Sequence, residues 1–170
     1  RSPQMVALAR RRLDGRAAFL RADLDAPLPL ADAAAFDGVL SSLTLHYVRD
    51  WQRTFREFYR LLKPGGWLVL SVGHPFDDYD RFRDEVHYFE VEAVAEPWTG
   101  FGPPVRVAFY RRSLAATLNP LLAAGFRLDR ILEPRPTEAF KAADPEDYDL
   151  LIRQPTFLCM RARKPGLGAS

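Results

Sequence analysis

From Phe36 to Gly73 the chain reads FDGVLSSLTLHYVRDWQRTFREFYRLLKPGGWLVLSVG, and this stretch restricts the fold more than any other. Val39 and Leu40 lead an apolar run into the small polar pair Ser41-Ser42, as a strand gives way to a loop. Asp50 is suited to cap a helix, because its carboxylate accepts orphan backbone N–H groups. Beyond it, Trp51, Phe55, Phe58, Tyr59 and Leu62 recur at the spacing of one helical face, which predicts an amphipathic helix packed on a core. Lys63-Pro64-Gly65-Gly66 should end that helix in a tight turn, since proline cannot continue it and glycine accepts positive φ. WLVLSV is nearly all apolar, as a strand covered on both faces requires. A strand, a crossover helix and a second strand make a βαβ unit with parallel neighbours. Ligands of open parallel sheets sit at the carboxyl ends of the strands. Ser41 to His46 and Gly73-His74-Pro75 therefore share one rim.

The 170 residues make one domain with a real core, and 48% hydrophobic and 27% charged content is ordinary for a globular protein. A net charge of +2 gives no electrostatic reason to expect nucleic acid. The densest basic run, Arg10-Arg11-Arg12, suits the last turn of a helix, where cations complement the dipole. The single cysteine, Cys159, excludes an intramolecular disulfide and reads as a small buried hydrophobe. No stretch is long and apolar enough to span a membrane, and no signal peptide is read at the start, so a cytoplasmic enzyme or binding domain is expected. Arg1-Ser2-Pro3-Gln4-Met5 opens as though in mid-structure, which leads us to expect further sequence before it.

Ser2-Pro3 reads as a helix cap and first helical residue, followed by an apolar stripe of Met5, Val6, Ala9 and Leu13 that Asp14-Gly15 ends. Residues 17–22 (AAFLRA) read as a short buried strand with Asp23-Leu24-Asp25 at its carboxyl end. Residues 77–112 read as a β insertion over the rim, a possible substrate lid. Within it a strand is expected at 86–94, a turn cluster at 97–104 and a partner strand at 105–110. Ser113 should cap a helix that Gly125 ends and Pro120 kinks. Strands are expected at 126–132 and 155–161, with a short helix near Asp147 between them.

The common chemical motifs are missing: there is no P-loop, no Cys-x-x-Cys or His-Glu-x-x-His spacing, and no Gly-x-Ser-x-Gly elbow. His46, His74 and His87 lie far apart, and no metal is expected. What remains is an acidic residue after one strand, a small-polar loop after the next, and a helix ending in Lys-Pro-Gly-Gly. In these features the chain resembles the class I S-adenosylmethionine-dependent methyltransferases, in particular the ubiquinone/menaquinone enzymes and the type 11 methyltransferase domain. The matching residues are Ser2-Pro3-Gln4-Met5, Arg21-Ala22-Asp23-Leu24, Leu28-Pro29-Leu30 with Asp32, and Phe36-Asp37-Gly38-Val39 through Leu45-His46-Tyr47-Val48. Asp50-Trp51 and Leu61-Leu62-Lys63-Pro64-Gly65-Gly66 complete them. Each motif is weak alone; their order and spacing carry the resemblance from Ser2 to about Pro75, and more loosely to Arg161.

The resemblance implies an α/β, Rossmann-like sheet, mostly parallel with an antiparallel last strand, and methyl transfer from S-adenosyl-L-methionine to a small organic molecule. It implies that Asp23 accepts a hydrogen bond from the adenine amino group and that the Leu24 amide reaches a ring nitrogen. Ser41, Ser42 and Leu43 would run beside the methionine part of the cofactor, or simply mark a strand-to-loop transition. His46 would orient substrate or act as a base, since imidazole titrates near neutrality, or else be a half-buried structural histidine. His74 faces the expected substrate space with the same two readings. Tyr88, Trp98, Phe101 and Tyr110 would form an aromatic lid, or pack the insertion onto the domain. Trp51 belongs to the core.

The chain also departs from that pattern. The glycine-rich loop that wraps the methionine moiety is absent, as are the first, central strand and the acidic residue that holds the ribose; all would precede Arg1. A monomer or homodimer is expected. Two other functions stay in view: a nicotinamide-dependent oxidoreductase, and a non-catalytic methyltransferase-like remnant that binds a partner chain.

Overall fold

The computed structural model describes every residue of the chain except 1, 31, 100, 101, 167, 169 and 170. In chain order the elements are α1 (Pro3–Leu13), β1 (Phe36–Ser42), a 3-10 turn (Leu45–Tyr47), α2 (Trp51–Leu61), β2 (Leu62–Gly73) and α3 (Pro75–Phe82). They continue with β3 (Glu92–Trp98), β4 (Val105–Arg111), α4 (Leu114–Ala123), β5 (Arg127–Leu132), α5 (Glu138–Ala143), α6 (Pro145–Leu151) and β6 (Phe157–Arg163).

The βαβ unit forms as its sequence predicts. Asp50 caps α2 by accepting from the Arg53 amide at 3.0 Å, and Trp51, Phe55, Phe58 and Leu61 are buried on one face. β1 and β2 pair in parallel, with Ser42 beside Ser71. The helix gives way directly to β2 at Leu62, so the expected tight turn becomes an irregularity inside a strand. The pairing jumps from Phe36–Leu62 to Gly38–Trp67, and Gly65 takes φ +80°. The looped-out segment is pinned from the far side, where the Gly65 amide donates to the Lys164 carbonyl (3.0 Å) and Lys164 Nζ to the Leu62 carbonyl (2.7 Å).

One sheet runs in the order β1-β2-β6-β5, with β6 antiparallel to both neighbours. Three strands thus point one way and β6 the other, the mixed Rossmann-like arrangement expected. Leu68, Leu70, Val72, Leu158, Met160 and Ala162 join the α2 face and Leu121 in a single core. β3 and β4 form a separate antiparallel hairpin.

Three expectations need correction. Residues 17–22 form no strand; a short run holds strand geometry only when a neighbour satisfies its amides and carbonyls, and the outer edge of β1 is unpaired among the described residues. The apolar stripe of α1 forms on schedule, capped by Ser2 and ended at Asp14 in the left-handed region, yet no residue of the helix is buried. Met5, Leu8 and, on the sheet edge unpaired among the described residues, Leu40 are all at least half exposed. The hairpin is shifted: its first strand includes Pro97-Trp98, which read as turn, while residues 86–91 are loop. Arg111 explains that loop. Fully buried, its guanidinium donates to the carbonyls of His87 (2.6 Å), Tyr88 (3.2 Å) and Glu90 (2.7 Å), which gathers the chain into a coil instead of a strand.

Candidate functional site

The carboxyl ends of β1 and β2 meet at a built rim. The Leu43 amide donates to the Ser71 carbonyl (3.0 Å), and Leu43 itself sits at φ +44°, an unusual backbone for a non-glycine residue. The following turn is held from two directions. Trp51 Nε1 donates to the Leu45 carbonyl at 2.8 Å, and Arg112, at the end of β4, donates to the Val48 carbonyl at 2.9 Å while stacking 4.0 Å above the Trp51 ring. Burial pushes the Arg112 guanidinium down to about 10, the result of placing a cation among carbonyls and a ring. So Trp51 is a core residue that also fixes the loop.

The acidic segment docks beside the same turn. The Arg49 amide donates to Asp25 Oδ1 (3.1 Å), Arg53 donates to the Asp25 carbonyl, and Thr54 Oγ1 to the Leu24 carbonyl (3.3 Å). Asp23 is half-buried, with one carboxylate oxygen accepting from the Asp25 amide. The structure therefore brings Asp23, Leu24, Ser41, Ser42 and Leu43 to one end of the sheet, although Asp23 lies on a loop and not at a strand end.

A cavity of about 270 Å³ opens next to them. Gly73 and Asp78 line its inner part, Leu43, His46 and Tyr47 one wall, and Trp98 and Phe109 of the hairpin with Phe157 of β6 the other. Arg81 and Glu96 join α3 to the hairpin at its margin, 2.7 Å apart. Its surface is mainly apolar with a few convergent polar groups, the usual make-up of a small-molecule site.

The polar groups are specific. Arg81 is met by three carboxylates: Asp77 at 3.3 Å, Asp78 at 3.0 Å and Glu96 at 2.7 Å. Asp78 is 7% exposed, and its burial raises the carboxyl to about 6, against the pull of Arg81. Asp77 is raised for the same reason. His46 is half-buried between Tyr47 and Phe109, with ring centroids at 4.1 and 5.9 Å. Burial, and then the Arg112 charge, hold its imidazole below the ordinary value, and its buried Nδ1 has no hydrogen-bond partner among the described residues. A neutral ring at neutral pH follows.

Of the other residues singled out from sequence, His74 caps α3. Its Nδ1 accepts from the Phe76 amide (3.1 Å) and its Nε2 meets Glu133 at 2.9 Å, so both nitrogens are engaged and the ring does not line the cavity. Tyr88 packs edge-on against Tyr79 (5.3 Å), and Tyr110 passes along β4; neither lines the cavity. Trp98 does, with Nε1 donating to Glu96. Phe101 lies outside the described residues. Sequence reasoning passed over Asp78, Arg81, Glu96, Phe109 and Phe157. The one available signal was Asp77-Asp78 following His74-Pro75-Phe76, an acidic first turn just past the end of the second parallel strand.

One polar group at this end of β1 is open to a ligand: Ser41 Oγ is buried with no hydrogen-bond partner among the described residues. No group of three or more metal-ligating side chains, and no helix long and apolar enough to cross a membrane, occurs among the described residues.

Residues 1–70 match the family model of the methyltransferase domain. The chain is 32% identical over 146 residues to a demethylmenaquinone methyltransferase of Thermus thermophilus, covering 84% of this chain and 55% of that protein. It thus spans about half the length of this curated relative. The crystal structure of an S-adenosylmethionine dependent methyltransferase from Mesorhizobium loti superposes with a TM-score of 0.65 at 30% identity, covering 95% of this chain and 77% of that one. A solved structure from Listeria monocytogenes gives a TM-score of 0.78 at 24% identity over 96% of this chain and 76% of that one, which shows a common fold.

Proposed function

We propose that this chain, which belongs to the class I S-adenosylmethionine-dependent methyltransferases, carries the acceptor site and one side of the cofactor site of an enzyme that methylates a small organic molecule. The observation behind this reading is the cavity beside Leu43. It lies where the parallel pair ends, with Leu43 in its lining, and the Leu45–Arg49 turn that supplies His46 and Tyr47 to it is held at Arg49 by Asp25.

When bound, S-adenosylmethionine supplies an electrophilic methyl group on sulfur. The chain's residues would do the rest. Asp23 and the Leu24 amide would hold the adenine edge, and Ser41 to Leu43 would flank the methionine part. Tyr47, Trp98, Phe109 and Phe157 would hold an apolar acceptor and exclude water, which places nucleophile and methyl group in contact. The glycine-rich contacts would come along the open edge of β1. A cytoplasmic protein, monomeric or homodimeric, is part of the same proposal, motivated by its single, half-buried cysteine. The nicotinamide and partner-binding alternatives have no support in the structure or among the relatives.

Calorimetric titration with S-adenosylhomocysteine tests the reading. One-to-one binding, weakened about tenfold or more by Asp23→Ala, is the expected result. An unchanged affinity in the variant would remove Asp23 from the site, and no binding at all would sink the cofactor assignment.

A further inference from the structure

The geometry points to Asp78 as the residue that receives the methyl acceptor's proton, and to an acceptor that is a flat apolar molecule bearing an un-ionised O–H or N–H rather than a carboxylate. This inference rests on the methyltransferase reading and goes beyond it to the class of substrate.

Three features of the cavity carry it. First, Asp78 is held by only one of its oxygens. Arg81 donates to Oδ1 at 3.0 Å, and Oδ2 accepts no hydrogen bond among the described residues. Asp78 is mostly buried, yet this oxygen is not sealed from solvent, and its open acceptor capacity leaves room for a donor in the cavity that Asp78 lines.

Second, the position is made for that side chain. A Cβ at Gly73 would lie 3.1 Å from Asp78 Oδ1 and 3.2 Å from Oδ2, so glycine lets the carboxylate settle over the end of β2, where any side chain would push it back by a few tenths of an ångström. That places it at the carboxyl end of a parallel strand, where the reacting groups of such sheets assemble.

Third, the charges reject an anion. Arg81 is the guanidinium lining the cavity, and it faces three carboxylates. An acceptor carboxylate entering here would meet a lining of two carboxylates, Asp78 and Glu96, against one already paired guanidinium, while the nearby Arg112 is committed to the Val48 carbonyl and the Trp51 ring; the repulsion selects against it. The groups facing Asp78 are Arg81 and Asp77 from α3, Glu96 from β3, Arg112 from the end of β4, and His46 across the cavity. His46, kept neutral by burial and by Arg112, is also in a proton-accepting form. Asp78 is assigned the proton for its open oxygen and its seat over the end of β2, and the Asp78→Asn variant separates the two.

The step balances. The methyl group replaces one proton on the acceptor's oxygen or nitrogen, and the carbon–sulfur bonding pair leaves with sulfur. The displaced proton converts ionised Asp78 to the neutral acid, which returns it to solvent.

Calorimetric titration of the protein with three matched probes decides the matter: 2-naphthol, 2-methoxynaphthalene and 2-naphthoate. They share a ring system small enough for the cavity and differ in donor and charge; like the tyrosine phenol, 2-naphthol stays un-ionised up to about pH 8. The expected result is binding of 2-naphthol at least about tenfold tighter than either congener. That preference should grow as pH rises through the Asp78 titration and become flat with pH in Asp78→Asn. Equal affinity for 2-naphthol and its methyl ether, a preference for 2-naphthoate, or no binding of any probe would overturn the inference, and the wild-type comparison needs no variant to fold. S-adenosylhomocysteine titrated in parallel keeps the two readings apart. If it binds while the probes show no donor preference, Asp78 loses its role and the methyltransferase reading stands; if it fails while the donor preference holds, the cofactor assignment fails instead.

Discussion

Asp78 should weaken the fold in the ionised state proposed to receive the acceptor's proton, and Asp78→Asn makes that cost measurable. The carboxyl is 7% exposed and titrates near about 6 instead of 3.8, chiefly through burial. Between those two values the folded protein holds a proton that the unfolded chain has released. Stability therefore falls as pH rises through this window and is lowest, for this group, above about 6. At roughly 1.4 kcal/mol per tenfold change in proton affinity, ionising Asp78 in place costs about 3 kcal/mol. Asparagine resembles the protonated acid in shape and cannot ionise. Urea unfolding of both proteins, from about pH 3 to about pH 7.5, gives the stability of each at every pH. The advantage of Asp78→Asn over wild type should grow by about 3 kcal/mol across the series, with most of the change between about 4 and 6. Taking the difference cancels Asp37, Glu57 and Glu92, whose carboxyls are held low by Lys63, Arg60 and the His87 amide and which stabilise as pH rises. A pH-independent difference would refute the claim that Asp78 is a buried carboxyl whose ionised form is costly.

Three further outcomes follow from packing and hydrogen bonding. Arg112→Met keeps much of the stacking volume on Trp51 but leaves the Val48 carbonyl unpaired, so urea unfolding should show a loss of about 1–3 kcal/mol. Hydrogen exchange at residues 45–49 should speed up in the same variant. Phe55→Ala removes a fully buried ring that packs edge-on against Trp51 (5.7 Å) and Phe58 (6.4 Å), and should cost about 3–5 kcal/mol in the same assay. Gly38→Ala would drive a methyl to within 2.2 Å of the Trp67 ring, so Trp67 must leave the face of β1; a loss of about 1–3 kcal/mol and a shifted tryptophan emission are expected.

The βαβ unit was legible because its signals are local and agree with one another. Asp50 caps the helix, the aromatic stripe faces the core, and the apolar strand pairs where the pattern places it. The strand expected at 17–22 had local composition without a neighbour, and strand geometry is a property of pairs. The hairpin misled for a related reason. Pro97 and Trp98 read as turn residues, yet both sit in β3, opposite Arg106 and Val105. The alternating residues from Val86 are drawn into a loop by a single buried side chain, Arg111, that no window of neighbouring residues reveals.

The residues proposed for the cofactor side could be singled out in sequence because Asp23, Leu24 and Ser41 to Leu43 lie in continuous motifs. The acceptor side had no such motif. Asp78 and Arg81 come from α3, Glu96 and Trp98 from β3, Phe109 from β4 and Phe157 from β6, and they meet only once the hairpin docks. That docking depends on Arg112, which reaches from the end of β4 to the Val48 carbonyl, one residue before the amide of Arg49 that Asp25 holds. The Leu45–Arg49 turn is thus tied at one peptide group both to the hairpin and to the acidic loop, with His46 and Tyr47 immediately before these attachments. A displacement of the hairpin by an entering acceptor would be felt at Asp25 through a single peptide unit. The two halves of the site are therefore mechanically joined, although nothing in the linear order of Asp25, Val48 and Arg112 marks them as neighbours.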